Sequence, residues 1–138
     1  MKVSEAMSRD VRLANPGQPI SEAAKAMAEI DAGALPVSEN DRLVGMITDR
    51  DIAIRAVAER KGPETPVRDV MSSEVKYCYD DEEIEHVADN MAQLQVRRLP
   101  VVNREKRLVG IVALGDVSRS SSAGTAGKAV KGVSRPGA

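Results

Sequence analysis

The feature that most constrains this chain is that it repeats itself. Displaced by 64 residues, Val3 meets Val67, Met7 meets Met71, Ser8 meets Ser72 and Val11 meets Val75. Ile20 then meets Ile84, Ala24 meets Ala88, Met27 meets Met91, and Leu35-Pro36-Val37 meets Leu99-Pro100-Val101. One residue is inserted in the polar turn that follows (SEND against VNREK), where a hairpin loop tolerates it. At a displacement of 65, Arg42-Leu43-Val44-Gly45 meets Arg107-Leu108-Val109-Gly110 and Asp51 meets Asp116. The 138 residues are therefore two copies of one unit plus a tail. We divide them as 1–61, 62–118 and 119–138. A unit of roughly 60 residues rarely buries enough core alone, so the copies are expected to pack together.

Each copy reads as β-α-β-β-α, an α/β (α+β) pattern. A lead-in ends at Met7 or Met71, and an extended stretch follows at Val11–Leu13 or Val75–Tyr77. An amphipathic helix comes next. Ile20, Ala24, Met27 and Ile30 share one face of the first, and Ile84, Val87, Ala88, Met91 and Leu94 one face of the second. Pro19 suits the first helical position, and Asp80 or Asp81 can cap the second helix. Two strands around a polar turn follow, Ala34–Ser38 with Leu43–Thr48 and Arg98–Val102 with Arg107–Val112. A last helix starts near Asp49 and runs to about Arg60; its partner starts near Leu114.

Composition narrows the function. Tyr77 and Tyr79 are the only aromatic residues, which leaves little for stacking on single-stranded nucleic acid. Lys+Arg 20 against Asp+Glu 21 gives no general reason to expect a nucleic-acid or membrane surface. Cys78 is the only cysteine and His86 the only histidine, so neither an internal disulfide nor a Cys/His zinc cage is available. No apolar run is long enough to span a bilayer, and MKVSEAMSRD lacks the apolar stretch of a signal peptide. With a lone cysteine, this fits the reducing cytoplasm. From Val117 the chain turns to Ser, Gly and Ala with Arg119, Lys128, Lys131 and Arg135. The net −1 thus divides into −5 over residues 1–116 and +4 beyond. That tail reads as a solvated, mobile end, in which AGKAVKG could form a short helix; the sequence does not decide.

The doubled unit resembles the cystathionine-β-synthase (CBS) domain pair, or Bateman module. The residues that carry the resemblance are EAMS, GALPVSEN and RLVGMITDRD in the first copy, and DVMS, RRLPVVN and RLVGIVALGD in the second. It covers about residues 1–118. The resemblance implies two repeats about a pseudo-two-fold axis, packed through their sheets. It also implies a regulatory, non-catalytic module that binds an adenosine nucleotide (AMP, ADP, ATP or NAD) or S-adenosylmethionine in clefts between the repeats. Stand-alone pairs of this kind commonly form homodimers.

The first copy carries Gly45-x-x-Thr48-x-x-Asp51 where a strand runs into a helix. N–H groups at a helix start attract phosphate, and Thr48 adds a hydroxyl. Asp51 can accept two hydrogen bonds from a ribose diol, and Gly45 leaves space for close approach. The plainer reading makes Thr48 a simple N-cap, with Asp49 or Asp51 facing the helix dipole. Arg50 could reach a phosphate or simply be solvated. The second copy keeps Asp116 but has Ala113 in place of the threonine.

What remains of the site follows from the resemblance. Arg97 and Arg98, before Leu99-Pro100, would reach ligand phosphates at the Thr48–Asp51 site; their counterparts Gly33 and Ala34 carry no charge. Val75, Lys76 and Tyr77 would face adenine at that site, and Val11 with Arg12 at the other. Tyr77 could stack on the ring, although most strand tyrosines cover core. One strong site and one weak or empty one are expected.

The remaining chemistry-bearing residues have ordinary roles. His86 sits among acids on a helix surface, Asp80–Glu83 read as first-turn acids, and Cys78 reads as a buried filler. Two further functions stand behind the sensor. One is a ligand-free scaffold with vestigial sites. The other is an enzyme running through His86, for which the chain supplies no nucleophile–base pair.

Overall fold

The computed structural model describes residues 1–120, with side chains through residue 118. The tail assigned to 119–138 lies, beyond residue 120, outside the described residues. The elements in chain order are α1 (Val3–Ala6), α2 (Ile20–Ile30), β1 (Ala34–Glu39), β2 (Arg42–Thr48), α3 (Asp49–Asp51), a π-helical run (Ile52–Val57), a 3-10 turn (Val67–Asp69), β3 (Cys78–Tyr79), α4 (Ile84–Leu94), β4 (Arg98–Val102), β5 (Leu108–Ala113) and α5 (Leu114–Ser120). This is the mixed helix-and-strand class that the repeat implies.

Two compact units emerge, and they do not coincide with the copies counted along the sequence. One is Arg12–Val75; the other joins Met1–Val11 to the chain from Lys76. Each lead-in thus belongs to the unit built by the other copy. The hydrogen bonds are matched pair for pair. In the first unit the Val67 N–H donates to Gln18, Ile20 to Thr65, and Met46 and Ser72 exchange two bonds of 2.9 Å. In the second, Val3 donates to Glu82, Ile84 to Met1, and Ile111 and Ser8 exchange two bonds of 2.9 Å. Val67, Val70 and Met71 accordingly join the core of Ile20, Met27, Leu35, Val37 and Ile47. Val3 and Met7 join that of Ile84, Val87, Met91, Leu99 and Val112.

In the first unit β1 and β2 pair antiparallel, with a bulge between Val37 and Ser38. In the second β4 and β5 do the same, with the bulge at Val101/Val102, and β3 lies parallel to β4. The hairpin turns differ. Asn40 and Asp41 both take positive φ, 55° and 64°, the backbone of a two-residue turn that follows strand twist. The inserted residue lengthens the other turn, where Lys106 takes φ 66°.

Several local expectations need correction. The first extended stretch of each copy pairs three residues late. Ala14, not Val11–Leu13, bridges Val37, and Cys78–Tyr79, not Val75–Tyr77, pairs with Val101–Val102. Burial decides this: Ala14 and Cys78 are small enough to sit flat against the core, whereas Leu13 and Tyr77 are exposed. Pro19 is the N-cap of α2 rather than its first residue. Glu83, not Asp80 or Asp81, occupies the N-cap of α4, and the Met1 carbonyl takes the Ile84 N–H. On α2, Ala23 and Ala26 are buried with Ile20 and Met27, while Ala24 and Ile30 face outward. On α4, Leu94 is likewise exposed. The helix from Asp49 ends at Val57, short of Arg60.

Candidate functional site

The Thr48–Asp51 corner forms because β2 delivers Thr48 in extended backbone (φ −119°, ψ 163°) directly into a helical turn. The Thr48 hydroxyl accepts the Asp51 N–H at 3.0 Å, and the Asp51 carboxylate accepts the Thr48 N–H at 3.0 Å. This reciprocal pair satisfies two N–H groups that a helix start leaves without partners. The second Asp51 oxygen lies 3.9 Å from Arg55 Nε. The plainer N-cap reading of Thr48 is therefore realised, and it leaves the Asp51 carboxyl 16% exposed. Arg50 is exposed one residue away.

Gly45 has a different purpose from the one read in the sequence. It is buried, and a Cβ there would lie 2.7 Å from Met71 Sδ and 2.9 Å from the Ser72 carbonyl. It admits the incoming lead-in strand rather than a ligand. Gly110 does the same for Met7 and Ser8.

The corresponding corner of the other unit keeps half of the arrangement. Asp116, 8% exposed, accepts the Ala113 N–H at 2.8 Å. Ala113 offers no hydroxyl in return. Val11 is half-buried in this unit. Arg12, in the first unit, is ion-paired with Glu29.

Arg98 opens β4 and Arg97 sits in the bend just before it, both in the second unit and both exposed. Among the described residues neither guanidinium makes an ion pair or hydrogen bond. Val75 closes the first unit half-buried, while Lys76 and Tyr77 open the second strand segment exposed.

Tyr77 does not cover core. It stands 5.7 Å from Tyr79, edge to face, and its hydroxyl accepts from Lys106 Nζ at 2.7 Å. Lys106 also donates to the Tyr79 hydroxyl and lies 4.9 Å from both ring centres. The ammonium holds the Tyr77 phenol below its ordinary ionisation range, first through that hydrogen bond. Arg104 stacks 4.0 Å above Tyr79 while gripping Asp81 with two bonds of 2.8 Å. The chain's two aromatics thus clamp the longer hairpin turn.

The other singled-out groups have structural partners. His86 is exposed, 3.3 Å from Glu82. Glu82 also accepts the Tyr79 N–H, and Asp81 holds Arg104, so the acidic run is tied into its own turn. Cys78 is buried, and burial, with smaller pushes from Glu82 and Asp80, raises its thiol to about 12.

The sequence reading missed one feature. Within the first unit a groove of about 360 Å³ opens along the outer face of α2. Ala24, Met27 and Ala28 form its apolar wall, Ile52 faces them, and Asp31 and Asp49 stand on its rim. Asp31, at the left-handed C-cap of α2 (φ 53°), is where Gln95 sits in the other unit, and Asp49 is where Leu114 sits. Those two positions, charged in only one copy, were the available signal.

Comparison with known proteins agrees with this architecture. The CBS domain family model matches twice, over residues 3–57 and 67–123. The CBS domain-containing protein YhcV of Bacillus subtilis is 43% identical over 133 residues, covering 96% of this chain and 94% of that one. The CBS domain pair of protein MJ0100, solved in complex with 5′-methylthioadenosine and S-adenosyl-L-methionine, superposes with a TM-score of 0.73 at 32% identity, covering 86% of this chain and 94% of that one. CBSX2 in complex with AMP does so with a TM-score of 0.76 at 27% identity, with the same coverage of each chain.

Proposed function

The chain belongs to the CBS domain family as a tandem pair, and from that premise we propose a cytoplasmic, non-catalytic, homodimeric sensor of an adenosine-containing ligand. The observation that carries this reading is the Thr48–Asp51 corner, a preformed turn that offers a hydroxyl and a partly open carboxylate. The complexes of similar pairs with AMP and with S-adenosyl-L-methionine support the ligand class. Asp51 takes the ribose diol, and the Thr48 hydroxyl with the exposed Arg50 guanidinium takes phosphate. Arg98 and Arg97 are assigned to the phosphate as well, and Val75, Lys76 and Tyr77 to the base. The corner at Asp116, without a hydroxyl and with Val11 beside it in sequence-equivalent place, is the weak site. Binding signals by favouring one of two packings of the repeats or of the dimer for a regulated protein.

Calorimetric titration with AMP, ATP, NAD and S-adenosylmethionine tests the reading. Heat with at least one, and a thermal shift to match, is the expected result. Neither heat nor shift at millimolar ligand leaves the ligand-free scaffold, which the reciprocal pairing of the Thr48 and Asp51 N–H groups within the box favours.

A further inference from the structure

Asp51 is joined to the lead-in strand of its unit through one side chain. Of its two carboxylate oxygens, one accepts the Thr48 N–H and the other lies 3.9 Å from Arg55 Nε, an ion pair too long for a hydrogen bond. The Arg55 guanidinium is committed elsewhere. Its Nη1 donates to the Val70 carbonyl at 3.3 Å and to the Met71 carbonyl at 3.2 Å. Those carbonyls follow the 3-10 turn (Val67–Asp69), at the end where a helical turn leaves acceptors without partners. Directly beyond them Ser72 is seated on β2 by its two bonds with Met46. The chain leaves this unit soon after, at Val75, and every residue of the link lies within Arg12–Val75.

The link is written into the first copy only. At a displacement of 65 Arg55 meets Ser120, which carries no charge, just as Thr48 meets Ala113. The backbone differs as well. The turn that carries Arg55 is π-helical, with the Ala58 N–H bonded to the Ala53 carbonyl at 3.0 Å, whereas α5 is α-helical. Wide turns of this kind recur at functional sites.

We propose that Arg55 is a positioning residue that carries the state of the Asp51 corner to the lead-in strand. Anchored on two neutral carbonyls, the guanidinium holds Nε beside the Asp51 oxygen that the box leaves open, and so fixes how that oxygen is aimed. A ligand that needs this aim binds the anchored form better. Binding then tightens the seat of Met71 and Ser72, and a loosened seat weakens binding by the same factor. The ligand half of this relay rests on the sensor reading above; the link from Asp51 to the strand does not.

Amide hydrogen exchange of the full chain tests it, read at Met46 and Ser72 with the matching pair Ser8 and Ile111 as reference, and with thermal melts confirming that each variant is folded. Asp51→Asn keeps the shape of the corner and removes its charge, while Arg55→Met keeps the stem and removes the fork. Each should speed exchange at Met46 and Ser72 by roughly threefold or more, and the double variant should be no faster than Arg55→Met alone. Independent roles would multiply the two effects; that result, or unchanged exchange in Arg55→Met, overturns the link. If Arg55→Met does not fold, Arg55→Lys, which keeps the charge without the fork, replaces it in the cycle. At equal fractional saturation AMP should slow exchange at these two amides in the wild type and slow it less in Arg55→Met. Equal slowing in both overturns the relay. Absence of binding by AMP, ATP, NAD and S-adenosylmethionine, with the double variant still no faster than Arg55→Met, removes the sensor reading and leaves the link standing.

Discussion

Gly45–Asp51 and Gly110–Asp116 are two settings of one piece of backbone, and their differences are chemical rather than architectural. Both glycines admit an exchanged lead-in strand against a methionine sulfur and a serine carbonyl. Both aspartates turn back to take the N–H three residues earlier. Only the first has a hydroxyl to complete the box, and its aspartate is half-buried where Asp116 is buried. The shared features hold the fold. The hydroxyl and the exposure, which the fold does not require, are where function can differ between the copies.

Substitution of the glycines probes the shared part and gives the largest effect. Gly45→Ala and Gly110→Ala each place a Cβ under 3 Å from backbone and sulfur and destabilise by about 1–3 kcal/mol. Chemical denaturation should show near-equal losses; a large inequality would break the equivalence of the two lead-in seats.

The aspartates should separate stability from binding. Asp116→Ala leaves the part-buried Ala113 N–H without its carboxylate acceptor and costs about 1 kcal/mol, with little change in ligand affinity. Asp51→Ala costs a similar amount or less and removes most of the affinity. Thr48→Ala loses the cap, about 1 kcal/mol, measurable by thermal melting. The converse change, Ala113→Thr, supplies the missing hydroxyl and should raise stability by up to about 1 kcal/mol.

The second unit also has ionisations without counterparts in the first. In Cys78 the folded thiol is raised to about 12. A raised value favours the protonated form in the fold, so its contribution is whole below the ordinary thiol range. That contribution falls as pH climbs from there toward 12, by up to about 1.4 kcal/mol per pH unit. Comparing alkaline denaturation of the wild type with Cys78→Ala isolates it: the variant should lose stability less steeply. The smallest effect belongs to the tyrosine clamp. Removing the ammonium in Lys106→Met should move the Tyr77 phenol back up, visible in an ultraviolet pH titration.

Much of this was legible in the residues. The repeat, displaced by 64 residues and by 65 after the inserted one, located the hairpins, the helix starts at Asp49 and Leu114, and the missing hydroxyl at Ala113. What it did not disclose depends on contacts distant in sequence. Val11–Leu13 has the composition of a strand, yet Ala14 takes the pairing because its small side chain fits the buried place beside Val37. Gly45 looked like room for a ligand because nothing local shows that Met71 and Ser72 arrive there from the other copy's lead-in. Tyr77 looked like core because its partner Lys106 lies 29 residues away in a turn of unusual backbone. Ala24 carries the spacing of a core face and instead walls a groove.

The stoichiometry of adenosine-ligand binding, measured by calorimetry on the wild type, Asp51→Ala and Asp116→Ala, tests the inequality of the two corners most directly. One equivalent per chain, lost in Asp51→Ala and retained in Asp116→Ala, is the predicted result. Two equivalents, or equal losses in the two variants, would contradict it.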